Sequence, residues 1–131
     1  MSTFNAIGVA GTGVTVYRKW LDAVSDNIAN IDNVSRTSEN AFQARYVVAQ
    51  EAQDGNGAQV GGIAFGSAEG VLAYEPDNPL ADTEGYVRRP DIDLGGQMAQ
   101  MIMAQRAYQA NLSVVDRARE TYQAAIQLGK G

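Results

Sequence analysis

The chain has 131 residues, 45% of them hydrophobic, which is enough for one domain with a single core of modest size. Ten Lys and Arg against fifteen Asp and Glu give a net charge of -5, and no basic run could follow a phosphate backbone, so nucleic-acid binding is disfavoured. Cysteine and histidine are both absent, which excludes thiolate nucleophiles, Ser-His-Asp triads and zinc sites and leaves oxygen as the ligand type for any metal.

The first residues, MSTFNAIGVAGTG, lack the basic start and apolar run of a cleavable signal peptide. No apolar stretch reaches the roughly 20 residues needed to cross a bilayer, so the chain reads as soluble and not membrane-embedded. Ile7, Val14, Leu21 and Ile28 stand seven apart, and Ala10, Tyr17, Val24 and Ile31 interleave at the same period. Together they form an a/d seam over four heptads. Gly8, Gly11 and Gly13 weaken its first half, each costing about 1 kcal/mol relative to Ala. The spacing therefore predicts a helix over 14–31, with residues 1–13 conditional. Its end, SDNIANIDN at 25–33, carries three asparagines spaced by three, although asparagine competes with helical hydrogen bonding. Asn27 and Asn30 predict an amide-rich face beside the apolar stripe, with Asn33 at the cap. A buried amide needs a partner or costs about 1 to 3 kcal/mol, so this face suits bonds that fix register against a neighbouring element.

The texture then changes. FQARYVVA at 42–49 is β-branched and aromatic, DGNG at 54–57 marks a turn, QVGGIAF follows at 59–65, and VLAY at 71–74 precedes Pro76 and Pro79. Two or three short strands are expected, with 74–79 as a turn segment.

Pro90, Asp91 and Asp93 then signal the start of a long helix running to about Leu128, roughly 50 Å in length. Leu94, Met101, Tyr108, Val115 and Tyr122 form one register of its seam and Met98, Leu112 and Ile126 the other, interrupted by Gln105 and Arg119. Polar residues on a seam fix register or partner choice at some cost in stability. The tyrosines serve equally as interface anchors or as intramolecular core.

The expected fold is mainly α with a small β insert: terminal helices paired in coiled-coil fashion, with a short antiparallel β excursion between them. Residues 1–35 and 91–131 would form one helical core and 36–90 the insert and Pro-containing loop. Burying the eight N-terminal seam side chains yields about 1.5 to 3 kcal/mol each at most, whereas ordering each backbone residue costs about 1 to 2 kcal/mol. The N-terminal segment thus needs the C-terminal helix, other subunits, or both, and a seam at each terminus favours polymerisation through terminal helices.

Sites for chemistry are weak. Gly8-Val-Ala-Gly11-Thr-Gly13 lacks the preceding strand and the following Lys-Ser/Thr of a phosphate loop, and reads better as a flexible or closely packed helix start. Glu75, Asp77, Asp82, Glu84, Asp91 and Asp93 could supply an acid/base pair for glycoside hydrolysis, which needs no histidine, but turn and capping roles explain them more simply. Asp91 and Asp93 lack the rest of a calcium loop, and the Asn33 and Asn111 glycosylation patterns read as chance matches.

LDAVSDNIANIDNVS at 21–35 resembles the N-terminal signature of the bacterial flagellar axial (rod and hook) proteins, retaining Leu21, Ser25, Asn27, Ile28, Ala29 and Asn30. YEPDNPLADTEGYVRRPDIDL at 74–94 and MIMAQRAYQANLSVVDRARETYQAAIQLG at 101–129 agree in order and spacing, and the short middle fits the proximal-rod type rather than the longer distal-rod and hook types. One departure is the glycine-rich QVGGIAFGSAEG at 59–70. The resemblance implies a structural subunit with no enzymatic activity, no cofactor and no small-molecule substrate. It implies export by the flagellar type III route and assembly in the periplasm into a hollow drive shaft linking the membrane ring to the distal rod and hook. Its partners would be further copies of itself, other rod proteins, proteins of the membrane-ring junction and the export apparatus. The contacts would be made by Ile7, Val14, Tyr17, Leu21, Val24, Asn27, Ile28, Asn30, Ile31 and the C-terminal seam from Leu94 to Ile126. The alternative is a coiled-coil adaptor or export-associated protein that binds one partner without polymerising.

Overall fold

A computed structural model describes the backbone of residues 3–131 and the side chains of 5–131. Two long helices, α1 (Thr3–Ala29) and α2 (Leu94–Lys130), flank four short strands: β1 (Arg45–Glu51), β2 (Ala58–Phe65), β3 (Val71–Tyr74) and β4 (Tyr86–Arg89). The protein is thus mainly helical with a small β insert.

Helix α1 corrects the sequence reading at both ends. It starts at Thr3, through all three glycines, and stops at Ala29, leaving Ile31 outside. Its end is closed by asparagine. The Asn30 main-chain N–H and side-chain amide both donate to the Asp26 carbonyl, at 3.1 and 2.9 Å. Ile31 N–H then bonds Ile28 O and Asn33 N–H bonds Asn30 O, i to i−3 contacts that tighten the chain out of the helix. Asn33 lies in the turn beyond, its amide 3.4 Å from Asn30 Oδ1.

The strands form two two-stranded sheets, β1 with β2 and β3 with β4. β1 begins at Arg45, three residues after the expected Phe42. The turn after it forms at the anticipated DGNG: Asp54 Oδ1 accepts from Asn56 N–H at 3.0 Å, Ala52 N–H bonds Gly57 O at 2.9 Å, and Gly55 and Gly57 take positive φ. β3 matches VLAY residue for residue and pairs antiparallel with β4, Val71 opposite Arg89 and Tyr74 opposite Tyr86. The sequence reading had no strand at 86–89. Tyr86 and Val87 nonetheless pair because Val87, fully buried, anchors the hairpin, and Ser35 and Arg88 exchange main-chain bonds on its other edge. Gly70, at φ +60°, sits so close to the Arg89 carbonyl and Ala41 that a Cβ would collide.

α2 begins where the acidic residues predict. The Asp93 carboxylate accepts from Gly96 N–H at 2.9 Å and its carbonyl from Gln97 N–H at 3.0 Å.

The chain divides into two compact units. Unit 1 comprises Met1–Leu21, Val47–Gly62 and Ile102–Gly131, and unit 2 Asp22–Tyr46 and Ile63–Met101. The buried side chains are small: Ala10, Val16 and Ala104 in unit 1, and Ala23, Val24, Ala41, Ala44 and Val87 in unit 2.

Candidate assembly surface

Unit 2 is held by a buried amide. Asn27, with no exposed surface, donates from Nδ2 to Arg45 O (3.0 Å) and to Gln97 Oε1 (3.1 Å), while its Oδ1 accepts from Arg45 N–H (2.8 Å). The side chain grips both main-chain groups of Arg45 as a neighbouring strand residue would, and Gln97, 6% exposed, completes its hydrogen bonding. Asn30 instead bonds only its own turn, so the two asparagines of the motif have different work. An ion pair between Arg45 and Asp26, 3.0 Å apart and half exposed, lies beside the network.

Further polar ties close the Pro-containing loop of unit 2. Asp82 Oδ1 accepts from Tyr86 and Glu84 N–H and Oδ2 from the Thr37 hydroxyl, and these bonds, Tyr86 foremost, hold its carboxyl below its ordinary range. Glu75 is likewise held low, first by the Asn78 amide and then by Arg89, whose Nε lies 2.8 Å from it. General-acid work in glycoside hydrolysis needs a carboxyl pushed the other way. Glu75 and Asp82 therefore act as turn and hairpin fasteners. Among the described residues no group of acidic side chains is arranged to hold a metal ion, and no helix is long and apolar enough to cross a membrane.

In unit 1 the glycine motif finds its reason at Gly13. Asn111 donates from Nδ2 to the Ala10 carbonyl at 2.7 Å, and any Cβ on Gly13 would meet that amide. Thr12 ties the β turn to the helix: its Oγ1 donates to Val9 O (2.6 Å) and accepts from Ala58 N–H (3.0 Å). Alongside lies an open cleft of about 480 Å³, lined chiefly by Ala6, Val9, Ala10, Tyr17, Gly57 and Val114. A smaller apolar recess is formed by Val16, Tyr17, Trp20, Val47 and Ala49.

The two registers of α2 separate. Met101, Tyr108 and Val115 are half-buried and share a face with Gln97, Ala104, Asn111 and Ala118. Met98, Gln105, Leu112, Arg119 and Ile126 are exposed, as are Leu94 and Tyr122 at the two ends of the first register. Ile102, Met103 and Val114 add exposed apolar surface that the heptad count did not include. On α1, Val24 and Asn27 are buried, and Ile7, Val14, Tyr17, Leu21 and Ile28 are half-buried, as are Asn30 and Ile31 just beyond its end. Val16, Ala23, Gln97 and Asn111 escaped the heptad reading. Gln97, Ala104 and Asn111 also stand seven apart, and pairing that register with Met101 and Tyr108, in place of Met98 and Leu112, locates the polar pair.

Exposed apolar patches mark interaction sites of several kinds, and comparisons with known proteins give the family. Residues 83–128 match the family model described as flagellar basal body rod FlgEFG protein C-terminal. The chain is 34% identical to the flagellar basal-body rod protein FlgC of Yersinia enterocolitica, over 99% of its own length and all of the relative's. The chain belongs to the FlgC family of flagellar basal-body rod proteins. The FlgC proteins of Salmonella typhimurium, at 33%, and Bacillus subtilis, at 26%, align over the same 99% of the chain and all of their own lengths. Membership makes this chain a structural subunit of the flagellar basal-body rod, not an enzyme. A basal-body rod subunit assembles with other rod components.

Proposed function

We propose that the chain polymerises through its terminal helices as a proximal-rod subunit of the hollow drive shaft in the periplasm, linking the membrane ring to the distal rod and hook. Residues 1–35 and 91–131 form the helical core, paired antiparallel, and residues 40–75 project from it. The observation that carries this reading is the stripe Ile102, Leu112 and Ile126 on unit 1's part of α2, apolar and exposed. Such a stripe gains its burial only from a neighbour. Within unit 1 the Asn111–Ala10 hydrogen bond and the cleft shared by Val114 and Ala6 support the antiparallel sense, since numbers rise on α2 as they fall on α1. Neighbouring copies, other rod proteins and proteins of the ring junction cover the stripe. Delivery by the type III export route fits a chain whose helices complete their burial only on assembly.

Leu112→Asp is the decisive test. Leu112 is 38% exposed, so the substitution leaves the isolated chain folded while placing a charge in the subunit contact. The expected outcome is loss of rod incorporation and of swimming; normal swimming with Leu112→Asp sinks the reading.

A further inference from the structure

From Arg119 to Gly131 every residue is exposed, yet α2 continues through Lys130, carrying Ile126 at 41% and Leu128 at 83% exposure. Unit 1 also holds the cleft lined by Ala6, Val9, Ala10, Tyr17, Gly57 and Val114, open and largely apolar. An apolar projection and an apolar recess thus belong to one body, but they cannot meet within one chain. Val114 of the cleft and Leu128 stand on the same helix, fourteen residues and about 21 Å apart.

Charge separates the same two places. Lys130 lies two residues beyond Leu128, while Glu51 and Asp54 flank the turn that delivers Gly57 to the cleft. None of the three takes part in an ion pair among the described residues. We propose that the C-terminal turn of α2 from a second copy of this chain seats Ile126 and Leu128 in this cleft, with Lys130 against Glu51 and Asp54. The proposal rests on the polymerisation reading above and names one of its contacts.

Because donor and recess are different surfaces, the contact is heterologous: each copy that gives its α2 end keeps an empty cleft for the next, so the series closes into a ring or extends along a helix. The area is small. One helical turn in one cleft covers far less than the roughly 1,200 Å² at which a pair of proteins becomes stable alone. Two copies should therefore part readily, and the contact should persist only within a larger array that holds each copy at several points.

The absence of native cysteine allows a direct test. In flagellated cells whose own copy is replaced by the full-length chain carrying Val9→Cys and Leu128→Cys, mild oxidation should give a reducible ladder of two, three and more linked chains. Either cysteine alone should give no ladder beyond two. Swimming cells in which the double variant runs as a single chain, or forms only what a single-cysteine variant forms, overturn the contact. If the cysteine pair itself stops swimming, a charge pair decides. Lys130→Glu and Asp54→Lys should each shrink the swarm and together restore it, and a combined variant no better than the worse single one overturns the proposal. A failure here with Leu112→Asp still non-motile removes this contact and leaves polymerisation standing; a normally motile Leu112→Asp removes the wider reading.

Discussion

Unit 2 and unit 1 are built by different means. Unit 2 is laced by polar bonds of long sequence span: Asn27 to Arg45 and Gln97, Arg88 to Ser35 and Thr37, Arg89 to Glu75, and Asp82 to Thr37. Unit 1 is tied by Asn111 to Ala10 and by Ala58 to Thr12 and carries two apolar recesses, while exposed apolar side chains occur on both units. Hydrogen bonds with fixed geometry specify one arrangement, whereas apolar surface stabilises whatever covers it. The two units differ in the polar lacing that fixes unit 2 and the apolar recesses that unit 1 leaves open.

The strongest way to break that contrast is Asn27→Ala. It strands the Arg45 N–H and carbonyl and the Gln97 amide in a buried site, and should cost about 3 kcal/mol in urea unfolding of the purified chain. Asn30→Ala should change stability by less than about 0.5 kcal/mol, because its amide bonds only the adjacent turn at a partly exposed position. Equal effects of the two substitutions would show that the buried network does not set the stability of unit 2.

Gly13→Ala is the counterpart in unit 1. The new methyl meets the Asn111 amide and displaces it from the Ala10 carbonyl, for an expected loss of about 1 to 2 kcal/mol. Adding Asn111→Ala should relieve the crowding, so the double variant should be more stable than the sum of the two singles predicts. Additive losses would mean that the close approach at Gly13 is not what the residue serves.

The smallest expected effect is in acid. Glu75 and Asp82 both ionise at lower pH in the folded chain than their ordinary 4.5 and 3.8. The unfolded chain then binds more protons in that window, so stability from these carboxylates is present above the ordinary values and lost as pH falls through the depressed folded ones. Asp82→Asn should lower stability at neutral pH and flatten its decline below about pH 4, so that the variant and the parent chain converge in acid. An unchanged curve would mean that the Tyr86 and Thr37 bonds to this carboxylate add nothing to the hairpin.

The sequence made the large elements legible because apolar periodicity, acidic capping at Asp93, the VLAY run and the DGNG turn are all local signals. The misses were decided by distant residues. Residues 3–13 are helical despite their glycines because Asn111 and Thr12 hold them in place, and strand 86–89 exists because Val87 is buried and Ser35 lies on its far edge. The heptad count located the helices but could not tell the inward stripe from the outward one. Two interleaved registers offer the same pattern to a fold and to a neighbour, and only the polar residues Gln97 and Asn111 mark which side turned inward. The apolar continuation through Ile31 misled for a related reason: the doubled bond from Asn30 to Asp26 O ends the helix whatever the apolar pattern suggests.

The fork that Asn27 makes with Arg45 also bears on the order of folding. Arg45 is 18 residues away along the chain and Gln97 is 70. Closing the longer loop costs about 1 kcal/mol more in chain entropy than closing the shorter. The turn from α1 into β1 can thus be set before α2 exists as a helix, and Gln97 arrives as a latch on an amide already in position. For a rod subunit that must assemble with other rod components, a first half able to find its own geometry limits the number of wrong partners the second half can take.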